Sequence, residues 1–132
     1  MTHRIIPYSV SDSGNVWLSP DFQIREFACR DGSDSVLIDL RLVHILQRIR
    51  DHFGRPVTLN SAYRTKEYNT RIGGAKASQH ILGTAADITV KGVSPSTVAA
   101  YAETLLPDTG GIGRYATFTH IDVRESKARW TG

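Results

Sequence analysis

Apolar side chains recur at three- and four-residue steps through Ile38, Leu42, Ile45, Leu46, Ile49 and Phe53, while Arg41, Gln47, Arg48 and Arg50 fill the positions between. That period predicts an amphipathic helix over 38–53 with one face in a core. Asp39 near its start and His52 near its end suit the helix dipole, and Gly54 followed by Pro56 stops it. Other segments carry different patterns. Val57–Ser61 and Ala85–Val90 read as short strands, and Phe118–Val123 alternates with period two as a final strand. Ser94-Pro95, an N-cap followed by proline at the first helical position, starts a helix running to about Leu106. Thr65 caps a short helix beginning at Lys66, and Ser19-Pro20-Asp21 opens a turn that faces Phe22 and Phe27 inward. Residues 1–17, polar and punctuated by Ser, Gly and Asp, predict an arm laid over the surface and pinned by Tyr8 and Trp17.

These elements predict an α+β fold, a small antiparallel sheet with flanking helices. A chain of 132 residues, 40% hydrophobic and 22% charged, suits one domain over 1–132 and is too apolar for disorder. No stretch approaches the ~20 apolar residues of a membrane span, so no membrane insertion is expected. Sixteen Lys+Arg against thirteen Asp+Glu leave a net charge of +3. The basic residues are interleaved with acidic ones, which argues against nucleic acid as a partner and suits an anionic polymer such as a cell wall. Cys29 is the only cysteine, so any metal must be held by His, Asp or Glu. The opening residues lack the apolar run of a secretory signal, so no signal peptide is expected.

The five histidines separate by context. His3 falls in the arm, and His44 and His52 fall on the long helix, where packing or surface roles suffice. The helical neighbours of His44 at i+3 and i+4 are Gln47 and Arg48, neither a good zinc ligand. His80, by contrast, follows Ala77-Ser78-Gln79 on a loop, and seven residues later Asp87 interrupts an apolar strand. A carboxylate there must meet a metal, several donors or a cation, an arginine salt bridge being the plain alternative. Strand alternation places Phe118, His120, Asp122 and Arg124 on one face. His80, Asp87 and His120 together offer three tetrahedral zinc positions, with the fourth left to water. His120-Ile121-Asp122 also has the His-x-Asp spacing of non-haem iron oxygenases. That reading leaves Asp87 without a role, and the chain lacks the strands for a barrel around the iron.

The run Ser61-x-Tyr63-Arg64, Asn69, Gly73-Gly74-Ala75, Ser78-x-His80-x-x-Gly83-x-Ala85-x-Asp87 and Phe118-x-His120-Ile121-Asp122 resembles the zinc D-alanyl-D-alanine carboxypeptidases and peptidoglycan endopeptidases, whose fold is shared with the hedgehog signalling domain. It is most similar to short phage and bacterial members, in which a segment such as Leu18-Ser19-Pro20-Asp21-Phe22 through Glu26-Phe27-Ala28-Cys29 precedes the motif. The resemblance spans about residues 17–124. It implies one zinc ion held by His80, Asp87 and His120, with Arg64 beside the metal engaging the peptide carbonyl or carboxylate. It also places Tyr63, Ser78 and Gln79 against the substrate, and gives Gly83 a close backbone approach that a plain turn would explain equally well.

Relatives often carry a Glu three residues before the last zinc histidine, or a second His two before it, where this chain has Thr117 and Phe118. Asp122, roughly 7 Å from His120 along the strand face, is then either the proton acceptor or the partner that orients His120 or Arg64. The resemblance implies zinc-assisted amide hydrolysis of peptidoglycan stem peptides or cross-links containing D-alanine, and a monomer is expected. Two settings suit a chain without a signal peptide: the cytoplasm, or a phage lysin released to the wall by another route. The rival expectation is a non-catalytic module that keeps zinc for stability while binding the wall or building a phage particle.

Overall fold

Asp39 closes one strand and opens the longest helix. In the computed structural model, which describes residues 5–132, its carboxylate accepts a hydrogen bond from the Arg41 amide at 2.8 Å and caps α2, Leu40–Phe53. The helix ends at Gly54, whose φ of 62° lets its amide reach the Arg50 carbonyl. Ile38, expected as the first helical contact, belongs instead to strand β4, Ser35–Asp39, because the extended backbone of Asp39 sets the boundary after it. Its side chain is still fully buried, beside Leu42, Leu46 and Ile49. Gln47, expected among the exposed positions, is also buried. Its amide accepts from Ser19 Oγ and the Asp21 amide and donates to the carboxylates of Asp21 and Asp51, tying the helix to the preceding hairpin.

That hairpin joins β2, Trp17–Ser19, to β3, Phe22–Gln23, and leads into a 3-10 turn over Ile24–Phe27. Phe22 and Phe27 are both buried, as their positions predicted. The N-terminal arm differs from expectation. Ile5–Ser9 forms β1, paired antiparallel with β4 so that Ile6 faces Ile38, and Val10–Ser13 forms the short α1. Backbone pairing fixes the segment; Tyr8 packs against the core, but Trp17 is 59% exposed and pins nothing. His3 lies outside the described residues.

The main sheet has five strands in the order β5 (Val57–Ser61), β6 (Ala85–Val90), β8 (Thr119–Asp122), β7 (Gly111–Arg114) and β9 (Ala128–Thr131). The pairs are antiparallel except β7–β9, which is parallel. Neither β7 nor β9 was expected, since a glycine-rich tetrapeptide and a terminal Ala-Arg-Trp-Thr carry no alternation. Helix α5, Pro95–Leu105, is capped by Ser94 and packs on the sheet, while α2 packs on α5. Ile88, Val98, Ile112 and Ile121 fill the space between. Two short helices, α3 (Lys66–Arg71, capped by Thr65) and α4 (Gln79–Leu82), follow β5. Among the described residues no helix is long and apolar enough to cross a membrane.

Gly83 ends α4 with a φ of 80°, and a Cβ there would collide with the Leu37 carbonyl of β4. Its own carbonyl accepts from the Asp39 amide at 2.9 Å. Both the turn and the close approach therefore require glycine. Gly83→Ala is expected to destabilise the fold by about 2–4 kcal/mol, combining left-handed strain with overpacking; urea unfolding measures it.

Candidate metal centre

The register of the main sheet sets Ser61 opposite Asp87, Asp87 opposite His120, His120 opposite Gly113, and Gly113 beside Trp130. Directly paired residues project from the same face, so one row across five strands carries Ser61, Asp87, His120 and Trp130 together. His80 joins them from α4, where Ser78 caps the helix and Gly83 turns the chain into β6. The expected loop at His80 is thus one helical turn, which carries its ring over the strand.

Each ring is held by its outer nitrogen. His80 Nδ1 lies 2.7 Å from the Ala62 carbonyl, which can only accept, so Nδ1 donates there and Nε2 faces Asp87 Oδ2 at 3.3 Å. His120 Nε2 lies 2.8 Å from Asp122 Oδ2, and its Nδ1 lies 2.9 Å from Asp87 Oδ1. One ligand atom from each of His80, Asp87 and His120 falls within 4.8 Å of the others, and all three residues are buried. Two imidazole nitrogens and a carboxylate converging on one point, each imidazole fixed from behind by an acceptor, fit a divalent metal with nitrogen and oxygen ligands. Asp122 faces the far nitrogen of His120, so it cannot join the same metal group, and the His-x-Asp iron arrangement does not form.

Without a metal the cluster is strongly coupled. Burial disfavours the charged form of His120, yet hydrogen bonds and charge from Asp122 and Asp87 outweigh it and raise its pKa. Burial likewise opposes ionisation of Asp87, but His120 and His80 hold its pKa well below the ordinary carboxylate range. The same holds for Asp122, where His120 and Arg124 overcome desolvation. Asp122 is fully buried: Arg124 donates to it through Nε at 2.8 Å and Nη2 at 2.7 Å, and the Gly111 amide donates at 2.9 Å. A side chain at Gly111 would occupy the place of that carboxylate. Of the two roles anticipated for Asp122, the geometry suits orientation of His120; it does not line the open cleft where a proton acceptor would stand.

Arg64 approaches from the β5 side. Its Nε donates to Ser61 Oγ at 3.1 Å, its Nη1 to Asn69 Oδ1 at 3.2 Å, and its Nη2 points at Asp87 Oδ2 at 3.5 Å. A cleft of about 480 Å³ opens over the cluster, lined on this side by Arg64, Ser78, His80 and Asp87. Tyr63 packs against the core and Gln79 accepts from Thr84 Oγ1, so neither of these expected substrate contacts lines the cleft. The opposite side is built by Tyr115, Phe118, Arg124 and Trp130, residues to which the sequence reading gave no role in the site. The signals for them were the strand alternation that puts Phe118 and Arg124 on the face of His120, and Gly111-x-Gly113, two missing side chains on one strand face.

An Asp122→Asn variant is expected to bind zinc about 10–100-fold more weakly, read by chelator competition, because it loses the carboxylate behind His120. The acid limb of stability should change with it. A carboxyl whose folded pKa is depressed contributes fully above its unfolded value of about 3.9, and the contribution disappears as pH falls below that. Metal-free wild type should therefore lose stability more steeply than the variant as pH drops from about 5 to 2, measured by thermal unfolding.

The sequence matches the family described as Peptidase M15 over residues 20–122, which includes His80, Asp87 and His120 and stops short of β9. No curated protein matches the chain at a significant level. Carried by that match over most of its length, the chain belongs to the peptidase M15 family of metal-dependent peptide hydrolases.

Proposed function

We propose that the chain is a single-zinc peptidase that cleaves peptidoglycan stem peptides or cross-links containing D-alanine. The observation that carries this reading is the convergence of His80 Nε2, Asp87 and His120 Nδ1 in an open cleft beside the guanidinium of Arg64. Bound there, zinc would supply Lewis-acid polarisation of the scissile carbonyl and a water of lowered pKa. The protein's own contribution is orientation. Ala62 and Asp122 fix the two rings from behind, and Asp87 supplies the carboxylate between them. Arg64, held by Ser61 and Asn69, presents donors to the peptide carbonyl or carboxylate; a planar guanidinium suits this better than an ammonium. Ser78 lines the same wall. The mild basic surplus suits an anionic wall, and a monomer released as a phage lysin would bring the site to it.

One observation favours a second reading, a non-catalytic zinc-stabilised module that binds the wall. Asp87 is the only carboxylate lining the cleft among the described residues, and its position is that of a metal ligand.

Purified protein incubated with muropeptides separates the two. Cleavage that stops on chelation and returns with zinc supports the peptidase, and the product, free D-alanine or a severed cross-link, tells exo from endo action. Activity that survives complete metal removal would sink it, whereas wall binding without cleavage in the zinc-loaded protein would support the second reading. His80→Ala and His120→Ala are each expected to lose the metal, read by elemental analysis. Arg64→Ala is expected to retain it and to lower kcat/KM by about 10²-fold, as for other single donors lost from a developing oxyanion.

A further inference from the structure

The wall opposite Arg64 holds a hydroxyl whose hydrogen-bonding state is fixed by its neighbour. Trp130 Nε1 lies 2.8 Å from Tyr115 Oη, and an indole N–H can only donate, so the phenol oxygen accepts. The Tyr115 proton is therefore turned away from Trp130, and among the described residues it has no acceptor. Tyr115 lines the cleft together with His80, Asp87 and His120.

Both rings are held in place. Tyr115 stacks on Phe118 with centroids 4.3 Å apart and planes 11° from parallel, and its amide donates to the Phe118 carbonyl. Trp130 leans over Gly113, where a Cβ would meet the indole at 2.6 Å. It reaches His120 at a centroid distance of 4.9 Å, and the Arg124 guanidinium lies 5.4 Å from its ring centre. In strand order, β5 leads into Arg64, β6 and β8 carry Asp87 and His120, and β7 leads into Tyr115. Arg64 and Tyr115 thus follow the strands on either side of the two that carry Asp87 and His120.

We propose that the Tyr115 hydroxyl, oriented by Trp130, donates a hydrogen bond to the substrate carbonyl oxygen as negative charge develops on it during amide cleavage. No proton is transferred; the O–H bond stays intact and only the hydrogen bond shortens. Trp130 acts through Tyr115 and is a positioning residue, which gives β9, beyond the region matched by the family, a part in the site. The proposal rests on the peptidase reading.

Tyr115→Phe and Trp130→Phe, each loaded with zinc and checked for equal metal content and melting temperature, test it on two readouts. The first is hydrolysis of a soluble muropeptide ending in D-alanyl-D-alanine. Tyr115→Phe is expected to lower kcat about 10²-fold with KM changed less than about twofold, and Trp130→Phe to lower kcat about 10-fold, because the donor acts only on developing charge. The second is calorimetric binding of a phosphinate analogue of D-alanyl-D-alanine, whose tetrahedral oxygens mimic that charge. Tyr115→Phe should weaken it about 10-fold or more while leaving binding of the cleaved peptide products unchanged. Equal kcat and equal analogue affinity in Tyr115→Phe and wild type would overturn the role of Tyr115 and leave the peptidase reading standing. A zinc-loaded wild type that neither cleaves the muropeptide nor binds the analogue would overturn both.

Discussion

A single buried carboxylate sets the conditions for everything around it. Asp87 sits in a strand whose neighbours are apolar, and an ionised group there is tolerated only when opposite charge and donors surround it. His80, His120 and Arg64 meet that requirement from three directions. Two of them are histidines that each turn one ring nitrogen to the carboxylate, and these three groups are the ones that could hold a divalent metal. The electrostatic need of one buried residue and the coordination need of a metal are met by the same atoms.

The sheet makes this possible through register. Asp87 and His120 are directly paired across β6 and β8, so a slip of one residue would send one of them to the opposite face. Glycine at 113 then leaves the next position in the row open, and Trp130 from β9 fills it against His120. Glycine at 111 does the same one step along, making room for the carboxylate of Asp122 behind the ring. Arg124 neutralises that carboxylate through two hydrogen bonds while facing the Trp130 ring, so charge balance and the aromatic wall share one side chain. The support of the site is therefore as continuous as the site itself.

The rest of the chain holds this edge of the sheet rigid. Gly83 bonds to Asp39, the residue that caps α2, so the turn carrying His80 is coupled to the longest helix and through β4 to the N-terminal strand. On the far side Arg129 bonds to Glu103 at the end of α5 and to the Leu106 and Gly110 carbonyls, which ties β9 to the helix that packs on the sheet. Rotamers locked from both directions are what hold a site to a fraction of an ångström.

Sequence alone determined the elements whose signals are local. The long helix ending at Phe53, apart from its start at Leu40 in place of Ile38, the capped starts at Thr65 and Ser94, and the strands at 57–61 and 85–90 follow from periodicity and capping chemistry acting within a few residues. The anomaly of Asp87 was legible for the same reason, since a carboxylate in an apolar strand stands out wherever the strand is placed. What tertiary structure decided was partnership. Whether Asp122 lies in the cleft or behind His120 depends on the glycine at 111 and on Arg124, neither of which changes the strand pattern. Gln47 is buried because a hairpin some 26 residues earlier lies over it. Tyr115 and Trp130 enter the site because β9 pairs parallel to β7, a non-local contact that no local period encodes. Hydrophobic spacing fixes which face a residue takes, but only the closed sheet fixes which residue it meets there.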